Sequence, residues 1–386
     1  MKLLLINAVC GTGSTGRIVA NIASKYEAKG WEVKVAYGRD SYVPASCRMW
    51  AVRIGNGPSV RFHGILTRMF DQHGSGLCSR IATKRFLKWA EAWSPDVVWL
   101  HNLHGYYINY ELLFAWIKQH PEMEIKWTLH DCWAFTGHCS HFLLTDCKRW
   151  KTRCYGCPEK REYPAALGLC AAKANWERKR NAFCGVTNMR LITPSKWLAN
   201  LTRESFLKEY PVEVVHNTID TSVFKRTQSD FRSRYGLDGK VVILGVASVW
   251  DRRKGLQDFF ALRKLLDSKD DKTGQTCFII LVGLTERQIS ALPSGMMGVA
   301  RTNSVAELAE IYSAADWLFN PTHEDNYPTV NLEARACGCK IATYDTGGAS
   351  ETVEGCDKAW VLKGEDKSPE GFIRLLQAVG KETARF

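Results

Sequence analysis

The sequence predicts an α/β protein made of two halves, each with its own parallel sheet. Short apolar runs alternate with longer helix-periodic stretches, the order expected of strands joined by crossover helices. The alternation occurs twice, on either side of a polar stretch at residues 220–239. A chain of 386 residues is also long enough for more than one full core. The expected domains are therefore 1–220 and 221–386.

In order, residues 3–8 read as a first buried strand, followed by a glycine turn and a periodic stretch at 17–28 that stops at Gly30. Further strands are expected at 32–37, 97–100, 125–129, 182–185, 191–193 and 212–215. The second set opens after Lys240 with VVILGVAS, continues at 277–282, and ends at 317–320 and 340–344. No solenoid-length repeat or low-complexity tract interrupts the pattern. A composition of 45% hydrophobic and 24% charged residues is that of a soluble globular protein. No run approaches the length of a membrane span, and MKLLLINAV is too short for a signal-peptide core, so a cytoplasmic protein is expected. Of the 14 cysteines, most stand singly in apolar surroundings, as Cys10, Cys184 and Cys277 do. They read as small hydrophobes in a reducing compartment. The net charge of +12 allows attraction to nucleic acid, anionic lipid or a diphosphate-bearing substrate, without choosing among them.

The most informative segment is NPTHEDNYPTVNLEARACGCKIATYDT at 320–346, followed by GGASE. Asp325, with Glu324 beside it, precedes the turn Asn326-Tyr327-Pro328-Thr329. A helix-like stretch carrying Glu333 follows, then an apolar strand and paired glycines. This order suits a sugar nucleotide. One carboxylate accepts sugar hydroxyls, free amides at the helix start around Thr329 and Val330 hold a diphosphate, and Glu333 accepts the ribose hydroxyls. The segment resembles the acid-x7-acid region of the retaining glycosyltransferases of family four, whose GT-B fold has two Rossmann-like domains facing each other across a donor-binding cleft. That family usually has Glu at the first acidic position, where register puts Asp325 here.

Gly11 to Gly16 spell a literal G-x-G-x-x-G between a strand and a helix, the dinucleotide fingerprint, which alone suggests NAD. The second strand ends without the ribose-binding acid, and Asp40 falls beyond its tip. In the resembling family a glycine loop here lies near the diphosphate, which implies a donor-side role for Gly13. The run Asp251-Arg252-Arg253-Lys254-Gly255 would be costly at a helix start unless an anion binds there. The resemblance implies that Lys254 contacts the donor diphosphate. The family's Arg is Val249 here, and Arg253 is its expected substitute. His130, followed by Asp131 at a strand end, matches the family's His at the donor sugar. His104, in the His101-Asn102-Leu103-His104-Gly105 loop, is the acceptor-side candidate. His216-Asn217-Thr218-Ile219-Asp220 resembles the family's hinge with Thr218 for Gly, and the loop at 301–303 would meet the base through backbone atoms.

Cys139, Cys147, Cys154 and Cys157 are spaced C-x7-C-x6-C-x2-C, with His138 and His141 nearby. A structural zinc is expected, with two disulfides or four unlinked thiols as alternatives. The loop lies in a basic flank that includes Lys148, Lys151, Arg153 and Lys179, with Trp150, Tyr155, Tyr163 and Trp176 interleaved. An anionic membrane, a nucleic acid or plain solvent could each face it.

The resemblance implies a retaining glycosyltransferase. It would move a sugar from a nucleotide diphosphate donor to a saccharide, or lipid-linked saccharide, in surface-polysaccharide assembly at the inner face of the membrane. Asp325 and His130 would act at the reacting centre. Gly13, Arg253, Lys254, Asn326, Tyr327, Pro328, Thr329, Val330 and Glu333 would bind the donor. No cofactor is expected for catalysis, since D-x-D is absent from the sequence, and nucleic acid is not expected as a partner. The family's long crossover helix is expected to be missing, because the sequence stops soon after a helix at 372–379. The rivals are an NAD(P)-dependent oxidoreductase using Gly11 to Gly16 and a zinc-bearing nucleic-acid binder using the cysteine loop.

Overall fold

The computed structural model describes residues 1–39, 42–268, 276–302 and 304–383. They form two compact units, Met1–His216 and Asn217–Phe386.

In the first unit seven parallel strands lie in the order β3-β2-β1-β4-β5-β6-β7. They are β1 (Lys2–Ile6), β2 (Glu32–Tyr37), β3 (Ala51–Arg53), β4 (Val97–Leu100), β5 (Glu124–Thr128), β6 (Met189–Thr193) and β7 (Val212–Val214). Helices α1 (Gly13–Glu27), α2 (Gly57–Phe70), α3 (Arg80–Trp93), α4 (Tyr110–Ile117), α5 (Ala172–Phe183) and α6 (Lys196–Glu204) connect them. The period of a strand explains why β1 is apolar throughout. Leu4 and Ile6 join one core and Leu3 and Leu5 the other, so both faces are covered.

The second unit has six parallel strands in the order β10-β9-β8-β11-β12-β13. They are β8 (Val241–Val246), β9 (Cys277–Val282), β10 (Met296–Val299), β11 (Trp317–Asn320), β12 (Lys340–Tyr344) and β13 (Ala359–Leu362). Its helices are α7 (Phe231–Arg234), α8 (Leu256–Asp267), α9 (Glu286–Ile289), α10 (Val305–Ala314), α11 (Thr329–Ala336) and α12 (Pro369–Thr383). The same alternation recurs in β8, where Val242 and Leu244 face one core and Ile243 the other.

The strand expected at 182–185 is instead the end of α5. Phe183 packs there against Phe114 and Trp127, with ring centroids 4.6 and 4.9 Å away. A short apolar run cannot by itself separate a buried helix turn from a strand. The short edge strands β3, β10 and β13 went unforeseen because they are only three or four residues long and their side chains are mostly half-buried. No described helix is long and apolar enough to cross a membrane.

In each sheet the strand order reverses once, between β1 and β4 and between β8 and β11. Loops leaving the carboxyl ends at such a reversal are where ligands bind in doubly wound sheets.

Candidate active-site residues in each unit

In the second unit the β8 and β11 loops meet at the reversal. Asp251 caps the turn Arg252–Lys254, its Oδ1 accepting the amides of Arg253 (2.9 Å) and Lys254 (3.2 Å). Its Oδ2 accepts Arg253 Nη2 at 2.8 Å. Three adjacent cations are thus tolerated because the chain supplies its own carboxylate, without requiring the bound anion that the sequence suggested. Gly255 then turns the chain into α8 at φ +71°, where a Cβ would lie 2.3 Å from Pro321 O. Lys254 Nζ reaches Asp325 Oδ2 at 2.5 Å, and Arg253 Nη1 donates to Glu324 O at 3.3 Å.

Asp325 is also held from β12. Its carbonyl accepts Gly348 N at 3.1 Å, and a Cβ on Gly347 (φ +60°) would fall 2.0 Å from that oxygen. The paired glycines are therefore a packing requirement of the Asp325 loop. Asn326 and Tyr327 are buried beside it. Helix α11 begins after Pro328 with no side-chain cap, which leaves its first amides to solvent or ligand. Glu333 lies on this helix, buried, and its Oε2 accepts the Tyr312 hydroxyl at 2.9 Å. A buried carboxylate needs such a partner, and this one fixes its orientation. The loop thus places a cation, free amides and two oriented carboxylates along one short stretch of chain.

The first unit brings rings rather than charges to its reversal. Asn7 from the β1 loop accepts Asn102 N of the β4 loop at 3.2 Å. His101 Nδ1 and His130 Nε2 lie 3.0 Å apart with their rings stacked. Burial pushes His130 down to about 4 and His101 well below the usual histidine range, so both are neutral at pH 7. His104 Nε2 contacts Asp131 Oδ2 at 2.8 Å, and its Nδ1 faces the Tyr163 hydroxyl at 3.1 Å. Burial would raise the Asp131 carboxyl, yet His104 and the Trp133 amide hold it well below the usual carboxylate range. With both ring nitrogens engaged, His104 positions Tyr163. Of the glycine loop, Gly11 and Gly16 are crowded by Cys47 Sγ (2.7 Å) and Val9 Cγ2 (3.0 Å), whereas Gly13 faces open space. Asp40 and Asn303 lie outside the described residues. Arg39, Tyr106 and Tyr163 were not expected at a site, yet the fold gathers them beside His104 from three separate segments.

The cysteine loop differs from expectation. The thiols of Cys139 and Cys157 share a hydrogen bond, and Cys154 Sγ accepts Gly137 N at 3.2 Å. Among the described residues no group of three or more His, Cys, Asp or Glu is placed to hold a metal. The four cysteines therefore do not fit the expected zinc site as arranged, and instead pack within or against the first unit's core. Lys179 threads into the same region, donating to Trp133 O (2.6 Å) and Thr136 O (3.0 Å). Trp150 and Trp176 are buried, so these aromatics form core rather than a stacking platform for bases. Lys151 and Arg153 pair with Glu204 and Glu177 at the surface.

These two sheets, with the acid-x7-acid loop at one reversal, define a two-domain α/β glycosyltransferase of the GT-B type. Residues 240–379 match the family described as glycosyl transferases group 1. It is 25% identical over 309 residues to the putative colanic acid biosynthesis glycosyl transferase WcaC of Escherichia coli K12, covering 75% of this chain and 68% of that one. The sucrose-phosphate synthase of Thermosynechococcus elongatus shares the fold with a TM-score of 0.68 at 16% identity, over 97% of this chain and 90% of that one. Anabaena HepE, solved with UDP-glucose, shares it with a TM-score of 0.60 at 15% identity, over 100% and 91%.

Proposed function

We propose that this protein moves a sugar, with retention of configuration, from a nucleoside diphosphate sugar to a saccharide hydroxyl in surface-polysaccharide assembly. The observation that carries the reading is the Lys254–Asp325 contact at the strand-order reversal of the second sheet, with Glu333 following on α11. Lys254, Arg253 and the amides around Thr329 and Val330 take the charge of the departing diphosphate without a metal. Asp325 orients the donor sugar, the turn Asn326-Tyr327-Pro328 shapes its surroundings, and Glu333 accepts the ribose hydroxyls. His130, kept neutral by burial, offers a hydrogen bond at the reacting face without opposing the positive charge that develops on the sugar carbon. The name of WcaC supports the pathway, and UDP-glucose in HepE supports the donor class.

A lipid-linked acceptor and a peripheral place at an anionic membrane fit one surface of the first unit. On α2, Phe62, Ile65 and Met69 are more than half exposed. The amides of Leu167 (2.8 Å) and Gly168 (3.0 Å) bond to Arg68 O, and that of Leu169 to Met69 O at 3.0 Å. Exposed Leu167 and Leu169 are thereby laid beside the end of α2. Arg61 and Arg68 lie among these apolar groups, a combination suited to an anionic lipid surface.

The test incubates the protein with a panel of nucleotide sugars in EDTA and reads the product's anomeric configuration by NMR. Retained product in the absence of metal is expected. Inverted product, or activity wholly dependent on manganese, contradicts the proposal.

A further inference from the structure

At the carboxyl end of the first sheet, three segments far apart in sequence converge on one arginine. Arg39 follows β2, its amide held by Ala8 O at 2.9 Å. Its guanidinium lies over the rings of Tyr163 (5.4 Å to the centroid) and Tyr106 (6.0 Å), and its Nη1 approaches the Tyr163 hydroxyl at 3.5 Å. The side chain is exposed, and no carboxylate among the described residues pairs with it.

The platform beneath it is built at a cost. Tyr106 adopts φ +67°, in the left-handed region that a bulky aromatic residue rarely enters. Such strain persists only where the surroundings fix it, and it clusters at ligand sites. Here the fixing groups are visible. The Tyr106 ring is wedged among His73 (4.8 Å), His63 (5.7 Å) and Tyr163 (6.0 Å). Tyr163 is set in turn by His104 and, behind it, by the half-buried Asp131. Since an ionised carboxylate can only accept, His104 Nε2 carries the hydrogen toward Asp131, and Nδ1 addresses the Tyr163 hydroxyl. The chain Asp131–His104–Tyr163 thus holds the edge on which Arg39 rests. Burial pushes the Tyr106 hydroxyl up, while Arg39 and then Arg68 pull it down, which puts a second cation close to the same ring.

A held, exposed guanidinium over half-buried aromatic rings has the chemistry of an acidic-saccharide subsite. The rings take the apolar face of a sugar, and the fork takes a carboxylate or phosphate through two parallel bonds. We propose that Arg39, on the Tyr106–Tyr163 platform, selects an anionic acceptor, either a saccharide with a carboxylate or one carried on a lipid diphosphate. This rests on the glycosyltransferase reading above, because it names the acceptor class of the same enzyme.

The test measures binding by tryptophan fluorescence in the presence of excess UDP, which keeps the donor site filled. The probes are methyl glucuronide against methyl glucoside, and farnesyl diphosphate against farnesol. At least one anionic probe is expected to bind ten-fold or more tightly than its neutral counterpart. Arg39→Ala should erase that preference, and Arg39→Lys should restore it in part, since Lys keeps the charge but not the fork. Preference for the glucuronide alone identifies an acidic sugar. Preference for farnesyl diphosphate alone identifies the lipid carrier, and preference for both supports their shared anionic chemistry. Equal binding of charged and neutral probes, or an anionic preference unchanged in Arg39→Ala, overturns the proposal. UDP binding is measured separately on the same wild-type protein. Its absence would count against the donor site in the second unit and leave the Arg39 result to stand by itself.

Discussion

The two units solve the same topological problem with opposite chemistry. Each sheet reverses its strand order once, and in each the candidate residues gather at the carboxyl ends of the strands around that reversal. In the second unit those loops carry charge, with Arg253 and Lys254 set against Asp251 and Asp325. In the first, His101 and His130 are neutral rings, and every histidine of the protein except His323 lies in that unit. The difference teaches that the fold fixes where a ligand binds while side chains decide which part of it. The donor diphosphate is served by the charged loops of the second unit, whereas a carbon gaining positive charge is better served by rings held neutral.

The largest consequence of the contrast concerns acid. Burial lowers His63 to about 3, His130 to about 4, and His73 and His101 well below the usual range. Below about pH 6.5 the unfolded chain binds protons at these positions and the folded unit does not, so stability falls with pH. The loss continues down to about pH 4 for His130 and about 3 for His63. Each group costs about 1.4 kcal/mol per pH unit in its window. Hydrogen exchange on the full chain, followed by peptide, should show residues 1–216 losing protection at a higher pH than 217–386. Simultaneous loss, or earlier loss in the second unit, would break the contrast.

A smaller effect sharpens the charged side. Gly347→Ala puts a methyl against Asp325 O and forces alanine into a left-handed conformation, itself worth about 1–2 kcal/mol. Donor binding should weaken while exchange protection in 1–216 stays as it was; unchanged donor affinity would remove the glycines' role in placing Asp325. Smallest of all, Lys151→Ala and Arg153→Ala remove exposed ion pairs with Glu204 and Glu177. Each should shift stability by less than about 1 kcal/mol and leave RNA affinity negligible at physiological salt. A strong, salt-dependent RNA affinity lost in these variants would revive a nucleic-acid role for the first unit.

Much of the second unit was legible in the sequence because its chemistry is local. Asp325, the turn and Glu333 lie within one loop and one helix, so their spacing alone reports their arrangement. Buried strands such as β9 and β11 are nearly continuous apolar runs and marked their own boundaries. The first unit was harder to read for the converse reason. Arg39, Tyr106 and Tyr163 come from three distant segments, and no spacing rule links them before the sheet assembles. The cysteine spacing misled because it resembles a ligand pattern, while the fold turns Cys139 and Cys154 into the core. Phe183 misled because a buried helix end and a short buried strand look alike in one dimension.

The direct test of the donor site is calorimetry of UDP and GDP, with uridine and guanosine as controls, on the wild type, Lys254→Ala and Glu333→Ala. Loss of charge-assisted bonds should weaken nucleoside diphosphate binding by about 1.5–3 kcal/mol in each variant. Nucleoside binding should fall in Glu333→Ala and barely change in Lys254→Ala, because the proposal puts Glu333 at the ribose and Lys254 at the diphosphate. If both variants bind the diphosphates as the wild type does, the charged loops of the second unit do not hold the donor.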